Sequence, residues 1–177
     1  MSDVREAALE ETPLGLIPQG EGWFVLNARD ATWITSAERG QDTDFEGGQQ
    51  WTEVGFRIQV LAPGQRSMYH RELGQEDFLV VSGECILVLD GEERRLEAWD
   101  FVHCPPWTEH AFVGAGEGPC VIVMAGNRSA GFDVVYAVNE VAAKHGASVA
   151  EEATDPDLAY AGWSKEKRTS YQEGWLP

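Results

Sequence analysis

The sequence predicts an all-β protein whose antiparallel strands form a sandwich or barrel. Between residues 51 and 127, short runs rich in β-branched and aromatic residues recur about every 8–12 residues, with glycine, proline or aspartate between them. No helical segment interrupts these runs, so the strands are expected to pair in the antiparallel sense. With 177 residues, 43% of them hydrophobic, the chain can bury the core of a single domain.

The composition excludes some partners and indicates a location. A net charge of −17 would repel a phosphate backbone, so the sequence argues against nucleic-acid binding. The chain contains no run of about eighteen apolar residues that could span a membrane, and its acidic start lacks the order of a secretory signal. Cys85, Cys104 and Cys120 lie in apolar runs, as expected of buried thiols in a reducing compartment. We therefore expect a cytoplasmic protein with no nucleic-acid or membrane partner.

The segments before the central strands are assigned in chain order. Residues 1–20 are acidic, include two prolines and show little periodicity, so we expect a loose or extended N-terminal arm. Trp23–Ala28 and Ala31–Ser36 are rich in β-branched and aromatic residues and predict a hairpin closed by the two residues between them. Glu38–Gln50 is polar and contains glycines, which predicts a loop, either a lid or an ordinary surface loop.

Residues 21–138 are predicted to form the β-barrel, and its central part is residues 52–127. Strands are expected in the segments TEVGFRIQVLA, RSMYHRE, EDFLVVSG, ECILVLDG, EERRLEA, DFVHCP, EHAFVGA and CVIVMAGN. Asp90-Gly91 is the clearest turn among them, because this dipeptide adopts the positive φ angles that a two-residue hairpin requires.

Residues 139–177 are predicted to form a short helix and an aromatic tail. Asp133–Val138 is expected to be the last strand, and the following NEVAAKHG offers Asn139 as the N-cap and Gly146 as the C-terminal stop of a helix. The tail beyond it carries large aromatic residues, namely Trp163, Tyr171 and Trp175. We expect these residues to pack on the body of the protein or on a partner subunit.

Four residues in the central strands can bind a metal. If RSMYHRE is a strand, His70 and Glu72 point to the same face, because side chains alternate along a strand. After a bend, the next strand can return Glu76 to that face, and His110 lies on a later strand. Buried polar groups destabilise a fold unless they are paired, and a divalent cation would satisfy all four. We therefore predict a metal site at these residues.

The spacing of these residues resembles the first motif of the cupin superfamily. Gly64, His70, Glu72, Glu76 and Gly83 stand at the intervals of that motif, although the family usually has a second histidine where this chain has Glu72. The resemblance covers the central part of the predicted barrel and is greatest to the small single-domain conserved-barrel cupins.

The second cupin motif is matched less completely. Asp100, Pro105 and His110 stand at the expected intervals. The departures, where the family commonly has Gly, Gly and Asn, are Trp99, Trp107 and Gly114. The resemblance implies a double-stranded β-helix, which is a jelly-roll barrel with a metal at its centre. Because cupins include dioxygenases, isomerases, epimerases, decarboxylases and proteins that only bind a ligand, the fold leaves the function open.

By this resemblance, His70, Glu76 and His110 would bind one divalent transition metal, with iron, manganese, zinc and nickel as candidates. Two histidines with one or two carboxylates leave coordination positions open, as in non-haem iron enzymes. Zinc would favour Lewis-acid or isomerase chemistry instead.

Glu72 carries over from the family only by its position, so three roles are open. It would complete the metal site, because a carboxylate oxygen can replace an imidazole nitrogen on these metals. It would otherwise turn away and pair with an arginine such as Arg57 or Arg66. As a third alternative, it would face the substrate as a catalytic base.

The predicted pocket around the metal is largely apolar. Side chains alternate along each predicted strand, and those expected to face inward and line the pocket are Phe56, Ile58, Val60, Phe78, Val80 and Phe112. Such a lining predicts a small, partly apolar or aromatic ligand. Trp107, shortly before His110, would either gate the mouth of the pocket or pack within its own loop.

The sequence therefore predicts a metal-dependent cupin enzyme, a non-haem dioxygenase or related oxidoreductase that acts on a small organic molecule. One alternative is a binding or sensing protein without turnover, and another is a metal-dependent isomerase or epimerase. A homodimer is expected, with the strands around residues 23–36 and the aromatic tail as candidate contacts, because the edges of a barrel gain stability when they are covered.

Overall fold

The computed structural model describes residues 4–129 and 131–177. The strands are β1 (Ala8–Thr12), β2 (Gly15–Gln19), β3 (Thr32–Ser36), β4 (Gly40–Asp44), β5 (Val54–Leu61), β6 (His70–Glu72), β7 (Glu76–Ser82), β8 (Glu84–Leu89), β9 (Glu92–Glu97), β10 (Phe101–Cys104), β11 (His110–Ala115), β12 (Cys120–Asn127), β13 (Val134–Tyr136) and β14 (Lys167–Ser170). The helices are α1 (Glu140–Lys144) and α2 (Pro156–Ala159). Strands account for 46% of the residues and helices for 5%, which confirms the prediction of an all-β fold.

Two antiparallel sheets enclose the core. One has the strand order β10-β7-β12-β5-β4-β3-β14, and the other has the order β13-β6-β11-β8-β9. Side chains from both sheets meet in one buried apolar cluster, which includes Leu61, Phe78, Val80, Leu87, Phe112 and Ile122. This arrangement confirms the predicted double-stranded β-helix.

Two local predictions are confirmed. Asp90 and Gly91 join β8 to β9 with φ angles of 47° and 81°, as a two-residue hairpin requires. Helix α1 begins after Asn139, whose side chain accepts hydrogen bonds from two backbone N–H groups of its first turn. Gly146, with φ of 67°, follows the end of this helix.

The hairpin predicted for Trp23–Ala28 and Ala31–Ser36 is wrong in its pairing. β3 lies within the second segment, but it pairs with β4, from Thr32 opposite Asp44 to Ser36 opposite Gly40. In the described chain, the first segment forms only an isolated bridge from Trp23 to Glu6. The predicted arm also contains a hairpin, because β1 pairs with β2.

The loop predicted for Glu38–Gln50 contains strand β4. Its sequence, GQDTD, has low strand propensity, but Asp42 and Thr43 are buried and Thr43 Oγ1 accepts a hydrogen bond from the N–H of Ile58 at 2.9 Å. Tertiary contacts with β5 and β3 therefore override the local preference.

The C-terminal tail packs on the body of the protein. β14 pairs with β3 at the edge of the larger sheet. Beyond it, the rings of Tyr171 and Trp175 lie 6.0 Å and 5.2 Å from the ring of Trp33, which is fully buried. Neither short helix of the described residues is long and apolar enough to cross a membrane.

Candidate metal centre

Three of the four predicted ligands meet at one end of the space between the sheets. His70 begins β6, Glu76 begins β7 and His110 begins β11. β6 pairs with β11 such that the two histidines lie directly opposite, with ring centroids 4.6 Å apart. One ligand atom from each of the three residues lies within 4.8 Å of the other two. The fold therefore brings together two imidazoles and one carboxylate from three different strands.

A backbone carbonyl orients each histidine. Nδ1 of His70 lies 2.8 Å from the carbonyl oxygen of Met68, and Nδ1 of His110 lies 3.0 Å from that of Thr108. A carbonyl oxygen can only accept, so Nδ1 carries the hydrogen and Nε2 is the atom left to bind. The Nε2 atoms of His70 and His110 lie 4.0 Å and 3.2 Å from Oε2 of Glu76.

The donor set fits a divalent transition metal. Nitrogen and oxygen ligands lie about 2.0–2.2 Å from such an ion, so two ligands of one ion lie roughly 3–4 Å apart. The observed separations from Glu76 Oε2, 3.2 Å and 4.0 Å, fall in that range. Two imidazole nitrogens and one carboxylate oxygen suit iron, manganese or zinc.

At His70 and Glu76 the environment favours the ionisation states that bind metals. Burial, together with the charge of His110, lowers the pKa of His70 to about 4, which keeps its imidazole neutral. Burial alone would raise the pKa of Glu76, but the hydrogen bond with His110 and the nearby positive charges hold it below its usual value. For His110, burial is the largest single effect and lowers the pKa, but the hydrogen bond and charge of Glu76, the carbonyl of Thr108 and the charge of Glu72 together outweigh it and raise the pKa. A cation between these groups would take the place of the proton shared by His110 and Glu76.

Glu72 lies near this group but outside it. The cluster of ligand atoms comprises His70, Glu76 and His110, whereas Glu72 lines the same cavity as His70, on the face that alternation predicts. Burial and the neighbouring Glu76 raise the pKa of Glu72 to about 7. The ion pairs of the described residues do not join Glu72 to an arginine, since Arg57 lies 3.7 Å from Asp42 and Arg66 donates to the carbonyl of Gly146.

The cluster of His70, Glu76 and His110 lies in the wall of a cavity of about 760 Å³. Phe78 and Phe112 supply apolar wall beside it, as the sequence predicts. Part of the lining comes from the C-terminal part of the chain, including Tyr160 and Trp163. This contribution was not predicted, because no local pattern indicates where a tail folds back.

Five of the predicted pocket residues do not line this cavity. Val80 is fully buried in the core of the barrel, in the same apolar cluster as Phe78. Trp107 is 42% exposed in the turn before β11, where its φ angle is 67°. Phe56, Ile58 and Val60 lie on the opposite face of β5. Phe56 packs near Phe45, and the other two belong to the apolar cluster around Trp33. Fewer of the predicted apolar residues therefore line the cavity than the sequence predicts.

The error at β5 has a physical reason. The residues of β5 that line the cavity are Arg57 and Gln59, and Leu61 enters the barrel core, so the parity assigned to Phe56, Ile58 and Val60 is reversed. The outer face of β5 is itself covered by Trp33 and the C-terminal tail. Because both faces of the strand are covered, apolar residues occur on both, and alternation alone cannot identify the inner face.

Residues 57–126 match the family model described as the cupin domain. Among solved structures, the chain resembles a sugar phosphate isomerase from a cupin superfamily of Silicibacter pomeroyi, with 21% identity, a TM-score of 0.50, and coverage of 62% of this chain and 68% of that one. It also resembles the polyketide cyclase RemF of Streptomyces resistomycificus, with 14% identity, a TM-score of 0.52, and coverage of 59% and 79%.

A third similar structure is a putative sugar phosphate isomerase from Acidithiobacillus ferrooxidans, at 24% identity and a TM-score of 0.46. Half of this chain (50%) aligns with it and covers 58% of that protein, which is less than two thirds of its length. No functionally curated protein shows significant sequence similarity to the chain.

The fold, the two motifs and the family match agree on the class of protein. The barrel has the double-stranded β-helix fold, and its residues 57–126 match the cupin domain, which supports a cupin superfamily protein. It carries a cluster of two histidines and one glutamate that could hold a metal ion.

Proposed function

We propose that the protein is a metal-dependent cupin enzyme, a non-haem dioxygenase or related oxidoreductase that acts on a small organic molecule. The observation that carries this proposal is the convergence of His70 Nε2, His110 Nε2 and a Glu76 carboxylate oxygen at the wall of a cavity large enough for such a molecule. Two histidines and one carboxylate are the donor set that non-haem iron(II) oxygenases use.

The residues of the chain have distinct tasks in this proposal. His70, Glu76 and His110 would hold the ion, which supplies redox chemistry and open coordination positions when bound. The rings of Phe78 and Phe112 would pack against the substrate and exclude water from its reacting end. Glu72, which lines the cavity outside the ligand cluster, would accept or donate a proton.

Elemental analysis of the purified protein tests the metal site. We expect about one equivalent of transition metal per chain after reconstitution with iron(II), manganese or zinc, and a loss of binding in His70→Ala and His110→Ala. His145→Ala is the matched control, because His145 pairs with Glu93 away from the cavity. A protein that neither contains nor takes up a transition metal would contradict the proposal.

Oxygen consumption then separates the reaction classes. An oxygenase loaded with iron consumes oxygen in the presence of its substrate, whereas an isomerase turns over without oxygen. The position of Glu72 favours the isomerase as the second candidate, because a free carboxyl group beside the metal is what proton transfer between carbon atoms requires. Ligand affinity without turnover under either condition would identify the protein as a binding or sensing module.

We also propose that the protein is a cytoplasmic homodimer. The region around residues 23–36 carries exposed apolar side chains, with Trp23 at 53% and Val25 at 80% exposure, and such residues are enriched at contacts between chains. The cysteines of the described residues are free and buried, as in proteins of a reducing compartment. A mass by light scattering equal to that of one chain would reject the dimer.

A further inference from the structure

Gln59 is a buried polar residue in the wall of the cavity whose role the metal site does not explain. Its side chain is on the inner face of β5, and the residue is 1% exposed. Its Oε1 atom has no hydrogen-bond partner among the described residues. An unpaired buried polar atom destabilises a fold, so its presence calls for a partner that the chain itself does not supply.

Gln59 lies between an apolar and an acidic neighbour on the paired strands. It is opposite Ile122 on β12 and opposite Asp42 on β4. Asp42 is a buried carboxylate, which accepts hydrogen bonds, so it does not supply the donor that Gln59 Oε1 lacks. Because Gln59 lines the cavity, a donor group bound there is the remaining candidate.

Arg57 lies two residues from Gln59 on the same face of β5 and also lines the cavity. Its Nε atom forms an ion pair with Asp42 at 3.7 Å, which is beyond hydrogen-bonding distance, and its side chain is 44% exposed. This ion pair involves Nε alone, so the two terminal nitrogens of the guanidinium remain as donors for a ligand. The charge of Arg57 also offsets the carboxylates of Glu72 and Glu76, which line the same cavity.

We propose that Arg57 and Gln59 form a polar subsite that binds a small organic carboxylate carrying a hydroxyl or amino group on the adjacent carbon. Arg57 would bind the carboxylate, because a guanidinium matches its two oxygens. Gln59 would accept a hydrogen bond from the neighbouring hydroxyl or amino group. The apolar remainder of the molecule would pack against Phe78 and Phe112. This inference rests on the proposed function, since it names the substrate class of that same site.

Three matched probes test the subsite by calorimetry on zinc-loaded protein. Mandelate carries both polar groups, phenylacetate lacks the hydroxyl, and mandelamide lacks the charge. For the unaltered protein we expect phenylacetate to bind about three- to tenfold more weakly than mandelate, since one neutral hydrogen bond is lost. Mandelamide should bind more than about tenfold more weakly, since a charged hydrogen bond is lost.

Two variants assign these preferences to the two residues. Gln59→Leu should lose the preference for mandelate over phenylacetate, and Arg57→Met should lose the preference for mandelate over mandelamide. Arg95→Met is the matched control, because Arg95 is an exposed arginine that pairs with Glu84 on the surface. A hydroxyl preference that survives Gln59→Leu, or a charge preference that survives Arg57→Met, would overturn the assignment of that residue.

The metal content of each variant is measured in parallel, so that the two proposals fail separately. If the protein has its normal metal content but binds none of the probes at about 10 mM, the subsite is overturned and the metal site is unaffected. Absence of metal contradicts the proposed enzyme. Binding of mandelate to that metal-free protein that is lost in Arg57→Met would still support the subsite.

Discussion

Replacing Gln59 with leucine should stabilise the protein while impairing its polar subsite. The residue is 1% exposed, and its Oε1 atom is unpaired among the described residues. An unsatisfied buried polar atom costs about 1–3 kcal/mol, and leucine of similar size would instead pack beside Ile122 on the paired strand. We expect the free energy of unfolding to rise by about 1–3 kcal/mol, which corresponds to roughly 2–4 °C in Tm for each kcal/mol.

Urea and thermal unfolding of metal-free protein measure this effect without a contribution from bound metal. Gln59→Glu is the opposing variant, because a carboxylate at the same position adds a desolvated charge and should lower stability. If Gln59→Leu were no more stable than the unaltered protein, the amide would already be satisfied, for instance by internal water. Gln59 would then need no ligand as a hydrogen-bond partner, and the proposed contact would be refuted.

Three further predictions follow from the geometry. Glu76→Gln should weaken metal binding by at least about tenfold in a competition assay with a chelating dye, because a neutral amide replaces the only charged ligand of the cluster; unchanged affinity would remove Glu76 from the site. Gly83→Ala should lower the free energy of unfolding by more than about 1 kcal/mol, because Gly83 has φ of 74° and an added Cβ would lie 2.3 Å from a backbone oxygen. Gly118→Ala serves as the control, because a Cβ added at Gly118 meets no atom within 4 Å. Hydrogen bonds from the side chain and backbone of Ser164 lower the pKa of Glu38. The stability that these bonds contribute is present above the usual pKa of 4.5 and is lost as the pH falls through the lower pKa of the folded protein. Tm should therefore fall less steeply below pH 4.5 in Glu38→Gln than in the unaltered protein, and parallel Tm curves would contradict this prediction.

Three of the four ligands predicted from the sequence belong to the cluster. His70, Glu76 and His110 were identified from their spacing in strands and from the cupin motifs, and the structure brings their ligand atoms within 4.8 Å. Alternation places Glu72 on the correct face, but it leaves the role of this residue open. The structure shows that Glu72 lies beside the cluster. The position of Glu72 relative to the cluster depends on how β6 and β7 are joined, which the alternation within one strand does not determine.

The cavity wall could be predicted only in part. Phe78 and Phe112 follow from the same parity as the ligands, since they lie on strands that carry a ligand. β5 carries no predicted ligand, so the inward face of this strand could be inferred only from hydrophobicity. Because both faces of β5 are covered, the prediction that Phe56 and Ile58 face inward is wrong. Arg57 and Gln59 were missed as pocket residues for that reason.

The sequence by itself determined the all-β class, the turn at Asp90-Gly91 and the short helix after Asn139. These features depend on local chemistry, namely side-chain alternation, φ preferences and capping. Only the tertiary structure decided that β3 pairs with β4, that the tail packs on Trp33, and that an arginine and a glutamine line the cavity. Those features depend on contacts between segments far apart in the chain, whose free energy exceeds the local preferences of the residues concerned.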